Sequence, residues 1–319
     1  MIDSELRIGI VGATGVVGRV TLQYLLDRGY TNIRTFASWR SAGGQLGPFE
    51  VEEATVGALS DARLDVCFFS IGAHSSRELV PAAVAGGTLC VDKSAAFRLE
   101  NGVPLVVPEV NGERALENTG IVANPNCCTI PLTMVLAPLH DVAGVRSVRV
   151  ATYQSVSGAG SDAIDDLRAE DSDDHRLRTD WEFDGVEFDE EVKLREETRK
   201  ILELPNLSVS ATCVRVPVIV GHAEAVWIET ETPLSPADAR RLLAEAPGLR
   251  VETVPAHGHA IGIDEVLVGR VRSDPSVENG LALFLVCDNL RKGAALNAVQ
   301  IVELLVGASL PTYVGQRTT

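Results

Sequence analysis

The chain has 319 residues, 45% of them hydrophobic, and carries 44 acidic against 28 basic side chains for a formal net charge of −16. That length favours two domains over one large core. So negative a charge repels nucleic acid and anionic membrane, which excludes both as expected partners, and no run approaches the ~18–20 apolar residues of a membrane-spanning helix.

The first ten residues, MIDSELRIGI, contain an acid and no basic-then-apolar leader, so no secretory signal is expected and a cytoplasmic location is. The six cysteines, Cys67, Cys90, Cys127, Cys128, Cys213 and Cys287, lie mostly in apolar, strand-like runs. That pattern suits reduced thiols, not a disulfide frame. No Cys/His spacing points to zinc, so no metal is expected.

In chain order, the apolar run 6–13 predicts a buried strand and 16–29 an amphipathic helix closed by Gly29. Further strands are expected at 32–38, 66–72, 88–92 and 120–125, with a helix at 75–87. Strands alternating with helices predict a parallel sheet with crossover helices. Past Cys128 the texture changes. A helix is expected at 129–141, then long strands at 145–158, 206–220, 224–232, 264–274 and 281–288, with helices at 190–204, 235–247 and 291–308. This predicts an α/β chain: a Rossmann-type domain followed by an α+β domain on a mixed, largely antiparallel sheet. Residues 162–191 hold fourteen Asp or Glu and three Arg, which reads as a solvated helix and loop.

The segment GIVGATGVVG follows the first strand and opens the first helix, with Gly12, Gly15 and Gly18 at three-residue spacing. A dinucleotide pyrophosphate needs a tight turn, close backbone approach and helix N-terminal amides. An NAD site usually ends its second strand with an acid for the ribose hydroxyl. Here the strand ends FASWRSAGG, with Arg40 and Ser41 and no acid. A guanidinium and a hydroxyl suit a 2′-phosphate, so NADP is the expected cofactor.

Cys127, in ANPNCCTI, falls where a strand ends and a helix begins. There the helix dipole and free amides favour a thiolate and can hold an oxyanion. Cys128, one residue further on, is expected to point elsewhere. A thiolate beside a nicotinamide suggests attack on an acyl or aldehyde carbon and transfer of a hydride. That chemistry needs a base, and RVPVIVGHAEAV offers His222 with Arg215 nearby.

These motifs, with DKSAAFRL, PLVVPEVN, TYQSVSGAG and CDNLRKGAALNAVQIVELL, run in order from residue 8 to 305. Together they resemble the aspartate-β-semialdehyde dehydrogenase family. The resemblance implies an NADP-binding Rossmann domain over 1–127, completed by the C-terminal helix 291–319, and a catalytic and dimerisation domain over 128–290. It implies a homodimer or a dimer of dimers. It also implies NADPH-dependent reductive dephosphorylation of β-aspartyl phosphate to aspartate semialdehyde, in lysine, methionine and threonine synthesis. Carried over by residue, Cys127 matches the nucleophile, His222 the general acid/base, Gln154 the residue orienting the thioester, and Asn126 an oxyanion contact. Arg98 and Lys193 match a phosphate-binding pair, Arg215 the carboxylate grip and Glu190 the partner of the substrate ammonium. Gly12, Thr14, Gly15, Val16, Val17, Arg40, Ser41, Ser157, Gly158 and Asn289 fall at cofactor positions. A phosphate, a carboxylate and an ammonium would thus meet two cations, one guanidinium and one acid.

The chain departs from the family pattern in having Cys128 for a usual Ser, Lys93 for Asn and Ala223 for Ser. The stretch from Gly160 to Glu190 is also shorter than usual, and it is read as trimmed surface loop in an active enzyme. The rival readings are a related acyl-phosphate or acyl-CoA reductase, and a catalytically inactive NADP-binding homologue.

Overall fold

The apolar run Ile8–Val11 forms strand β1, buried at all four positions, as a central strand covered on both faces must be. The chain continues through α1 (Val16–Asp27), β2 (Ile33–Ala37), β3 (Gln45–Leu46), β4 (Phe49–Glu53) and α2 (Val56–Asp61). It then forms β5 (Val66–Phe69), α3 (Ala73–Ala85), β6 (Leu89–Asp92), α4 (Pro108–Asn111) and β7 (Ile121–Ala123). This computed structural model describes residues 6–169 and 179–307.

The seven strands order as β3-β4-β2-β1-β5-β6-β7. Every pair is parallel except β3 with β4. Leaving out β3, this is the doubly wound order of a dinucleotide-binding sheet, with the switch point between β1 and β5. Ligands of such sheets bind beyond the carboxyl ends of the strands at that point.

The second unit, Asn126–Gly293, starts with α5 (Thr129–Ala143), β8 (Val145–Gln154), α6 (Ser161–Ala169) and α7 (Asp189–Leu202). Next come β9 (Ser208–Arg215), β10 (His222–Thr230), α8 (Pro236–Glu245), β11 (Leu249–Val251), β12 (Val266–Ser273) and β13 (Gly280–Cys287). The strands order as β11-β12-β13-β10-β8-β9. Three neighbouring pairs are antiparallel and two parallel, so the sheet is mixed and largely antiparallel. α7 begins with Asp189, Glu190 and Glu191 and ends with Arg199 and Lys200, which suits the helix dipole at both ends.

The chain then returns to the first unit through a π-helical turn, Arg291–Ala295, into α9 (Leu296–Leu305). Leu296, Val299, Ile301 and Val302 of α9 share one core with Ile8, Ile10 and Leu25. Each such fully buried aliphatic side chain contributes roughly 1.5–3 kcal/mol relative to exposure. The expected helix beyond 307 and residues 170–178 of the acidic stretch lie outside the described residues. Among the described residues no helix is long and apolar enough to cross a membrane.

Candidate active site

In the first unit the glycine turn sits at the switch point. Gly12 has φ +79, and a Cβ there would strike the Ser70 carbonyl at the end of β5. A Cβ on Gly18 would strike the Gly12 carbonyl, so α1 can approach the turn only with glycine at that position. Gly15 is the N-cap of α1, with Val16 and Val17 in its first turn, and the Thr14 carbonyl accepts from Arg19 Nε at 2.9 Å. Arg40, just past β2, is exposed with its guanidinium 5.6 Å from the Trp39 ring centroid, and Ser41 follows half-buried. The turn fits a dinucleotide phosphate.

Arg98 is buried, donating from Nε to the Asn124 carbonyl at 3.0 Å and from Nη2 to the Lys93 carbonyl at 2.7 Å. Lys93 donates from Nζ to Thr21 Oγ1 at 2.7 Å and Ser70 Oγ at 2.9 Å. Burial pulls its ammonium down to about 7, against the pull of Asp92.

In the second unit, strand register gathers the reacting residues. Gln154, the last residue of β8, lies opposite Arg215, the last of β9. His222 opens β10 opposite Cys287, the last of β13. One end of the sheet therefore presents Arg215, Gln154 and His222 side by side. Cys127 lies in the turn before α5, and its Sγ is 3.0 Å from His222 Nε2.

The tautomer of His222 follows from its other nitrogen. Nδ1 accepts the Ser155 backbone N–H at 3.0 Å, so that nitrogen carries no proton. In the neutral ring the proton sits on Nε2 and points at the sulfur. Asn289 fixes the turn that supplies this bond. Its Oδ1 accepts from Ser155 Oγ at 3.0 Å and Gly221 N–H at 2.8 Å, and its Nδ2 donates to Ser157 Oγ at 3.0 Å. A Cβ on Gly158 would sit 3.2 Å from Arg215 Nη1 and 3.4 Å from His222 Nε2. Glycine here leaves the guanidinium and the imidazole facing a shared space.

Glu190 is the hub of a second network. Its Oε1 accepts from Asn126 Nδ2 at 2.8 Å and Gln154 Nε2 at 2.9 Å. Lys193, one turn on, lies 3.5 Å from Glu190 Oε2 and 2.6 Å from Asp189 Oδ2. Asn126 Oδ1 accepts the Cys128 N–H at 2.8 Å, and Asn126 N–H donates to Glu197 Oε2 at 2.6 Å. Arg215, 5% exposed, donates from Nε to both Asp180 oxygens at 3.0 and 2.9 Å and from Nη1 to the Ser155 carbonyl at 2.9 Å. Ser155, Glu197 and Asp180 were not expected from sequence. The signal that could have found Glu197 is its spacing, an acid seven residues after Glu190 on α7.

Sequence reasoning sends Cys128 away from its neighbour. The structure instead brings its thiol within 4.8 Å of both Cys127 Sγ and a His222 ring nitrogen, because the helix starts only at Thr129 and both cysteines lie in the turn before it. The three side chains form the one His/Cys/Asp/Glu group with cation-binding spacing among the described residues, a grouping that no linear spacing revealed. It consists of the close Cys127–His222 pair and a buried neighbour.

Glu224, two residues along β10 from His222, is fully buried. Burial pushes its carboxyl well above the usual range, and the charge of Cys127 adds to this. A group that holds its proton more tightly when folded stabilises the fold fully below its unfolded value and loses that contribution as pH rises. Glu224→Gln is therefore expected to raise the melting temperature relative to the parent more at pH 8 than at pH 5. An equal shift at both pH values, by scanning fluorimetry, would show that Glu224 does not titrate against folding.

Residues 7–118 match the family described as semialdehyde dehydrogenase, NAD binding domain, and 136–183 with 178–292 match its dimerisation domain. An aspartate-semialdehyde dehydrogenase of Streptomyces akiyoshiensis is 43% identical, over 94% of this chain and 98% of that one. One of Aquifex aeolicus is 42% identical, over 95% and 99%. The crystal structure of aspartate semialdehyde dehydrogenase II from Vibrio cholerae, complexed with ASA, superposes with a TM-score of 0.89 at 38% identity, covering 96% of this chain and 99% of that one. A Candida albicans aspartate semialdehyde dehydrogenase with NADP has a TM-score of 0.75 at 25% identity, covering 94% and 98%. With a dinucleotide-type sheet, a cysteine–histidine pair at the end of a mixed sheet, and relatives this similar over nearly their whole length, the chain belongs to the aspartate-semialdehyde dehydrogenase family, oxidoreductases of amino-acid biosynthesis.

Proposed function

We propose that the protein converts β-aspartyl phosphate to aspartate semialdehyde with NADPH, through an acyl-thioester on Cys127, as a cytoplasmic homodimer supplying lysine, methionine and threonine synthesis. The observation that carries this reading is the 3.0 Å contact of Cys127 Sγ with His222 Nε2, beside a buried arginine suited to a carboxylate.

The Cys127 thiolate attacks the acyl carbonyl, a C–S bond forms, and the C–O bond to phosphate breaks with its electron pair leaving on phosphate. Arg98 and Lys193 are the cations assigned to that phosphate, and Arg215 to the substrate carboxylate. Bound NADPH supplies the hydride that reduces the thioester carbon. The His222 Nε2–H stabilises the oxygen that gains charge, then the sulfur as the C–S bond breaks and the aldehyde leaves. Gln154 and Asn126, both oriented by Glu190, hold the acyl group in line.

Purified protein is expected to reduce NADP when given aspartate semialdehyde and phosphate, and not when phosphate is omitted. Tight NADP binding with no such turnover at any pH would favour the inactive homologue. Turnover of other acyl phosphates at equal efficiency would favour the broader reductase.

Arg40 tests the cofactor choice. Arg40→Ala is expected to weaken NADP about ten- to a hundredfold and NAD little, since a charge-assisted contact is worth roughly 1.5–3 kcal/mol. Equal losses in titrations with both cofactors would remove Arg40 from the 2′-phosphate site.

A further inference from the structure

The acidic stretch before α7 reaches into the site through two residues. Asp180 lies against Arg215, whose Nε donates to both carboxylate oxygens at 3.0 and 2.9 Å. The ring of Trp181 lies beneath the same guanidinium, with its centroid 4.6 Å from Cζ. Arg215 is 5% exposed at its side chain and Asp180 38%, so the carboxylate approaches from the open side. Trp181 is anchored in turn. Its ring meets Phe188 at 6.4 Å, Phe188 meets Phe183 at 5.1 Å, and Asp184 Oδ1 accepts from the Val186 and Glu187 N–H groups. The loop that presents Asp180 is thus a folded turn with its own aromatic contacts.

A buried guanidinium facing the same space as His222 needs a negative partner. Asp180 supplies it, with the same chemical group that Arg215 is assigned to bind in the substrate. We propose that Asp180 is an internal competitor: its carboxylate occupies Arg215 in the free enzyme, and the substrate carboxylate must displace it, moving Trp181 with it. This rests on the reading that Arg215 takes the substrate carboxylate. Asp180 then sets the affinity of the site without taking part in bond making. If Arg215 is open in about one molecule in ten, the apparent dissociation constant is about tenfold weaker than the intrinsic one.

The test compares the parent protein with Asp180→Asn and Arg215→Ala. One readout is calorimetric binding of L-2-aminobutyrate, which has the ammonium and carboxylate of the substrate but no aldehyde. The other is the KM for aspartate semialdehyde in the phosphate-dependent direction. Asp180→Asn is expected to bind the amino acid about tenfold more tightly and to lower that KM about tenfold, with far smaller changes in kcat and in the KM for phosphate. A gain of affinity is not what loss of a merely structural contact gives. Unchanged or weaker binding by Asp180→Asn, with the parent still binding, overturns the proposal and makes Asp180 a support of Arg215 or a bystander. If Arg215→Ala binds the amino acid as well as the parent does, the assignment of Arg215 itself is wrong, and the proposal falls with it.

Discussion

Cys127→Ala is expected to lower phosphate-dependent NADP reduction by about 10⁴-fold or more, as removal of a covalent nucleophile does when little residual chemistry can replace it. Cys128→Ser should keep most of the activity. The contrast follows from burial. Cys67, Cys90, Cys128, Cys213 and Cys287 are buried, and Cys127 alone is partly exposed. Desolvation pushes the thiols of those five up, away from the reactive thiolate. Only Cys127 has a histidine Nε2 at 3.0 Å. Brief treatment of the native protein with iodoacetamide should therefore label Cys127 first, in step with loss of activity, and peptide mass spectrometry reads the site. Acyl transfer trapped on Cys128 instead would reverse the assignment.

The parts legible in sequence were those whose chemistry is local. Four-residue runs such as Ile8–Val11 and Val66–Phe69 are buried throughout, so they read as central strands. The glycine turn was legible because backbone crowding at Gly12 and Gly18 leaves no room for a side chain. Strands β3 and β4 were missed. One has two residues, and the other, FEVEE, carries three acids and buries only Val51. The strand expected over 206–220 stops at Arg215. Pro217 cannot continue a ladder, and Val218 and Ile219 instead offer their carbonyls to Val156 and Ser157. The reacting pair was legible because each member sits at the end of an element, where motifs are easy to see. Its supports were not. Ser155 acts through a backbone N–H, which any residue could supply. Glu197 acts across 71 positions on the Asn126 amide, and Asp180 across 35 on Arg215. No spacing encodes such partners; register and helix docking create them.

The second large effect is expected at Glu190, where the resemblance and the structure point to different duties. By resemblance Glu190 faces the substrate ammonium. In the structure it is 6% exposed, and its Oε1 holds the side-chain amides of Asn126 and Gln154 at 2.8 and 2.9 Å. Asn126 directly precedes Cys127 in the chain, and Gln154 ends β8 beside the strand that His222 opens. Hydrogen bonds to a charged acceptor are worth roughly 1.5–3 kcal/mol, and a misplacement of about 1 Å in a positioning group can cost about 10²-fold in rate. Glu190→Ala would leave both amides without their shared acceptor in a buried setting. It is expected to lower kcat about 10³-fold. Glu190→Gln retains one acceptor oxygen, loses the charge beside Lys193, and should lose about ten- to a hundredfold. Cys127 should still alkylate readily in both variants, because the sulfur–imidazole pair does not run through Glu190. The split between constants decides the duty. If Glu190 orients Asn126 and Gln154, the loss falls on kcat and the KM for aspartate semialdehyde changes little. If it binds the ammonium instead, that KM rises steeply while kcat at saturation holds, and the orienting role drawn from the geometry is wrong.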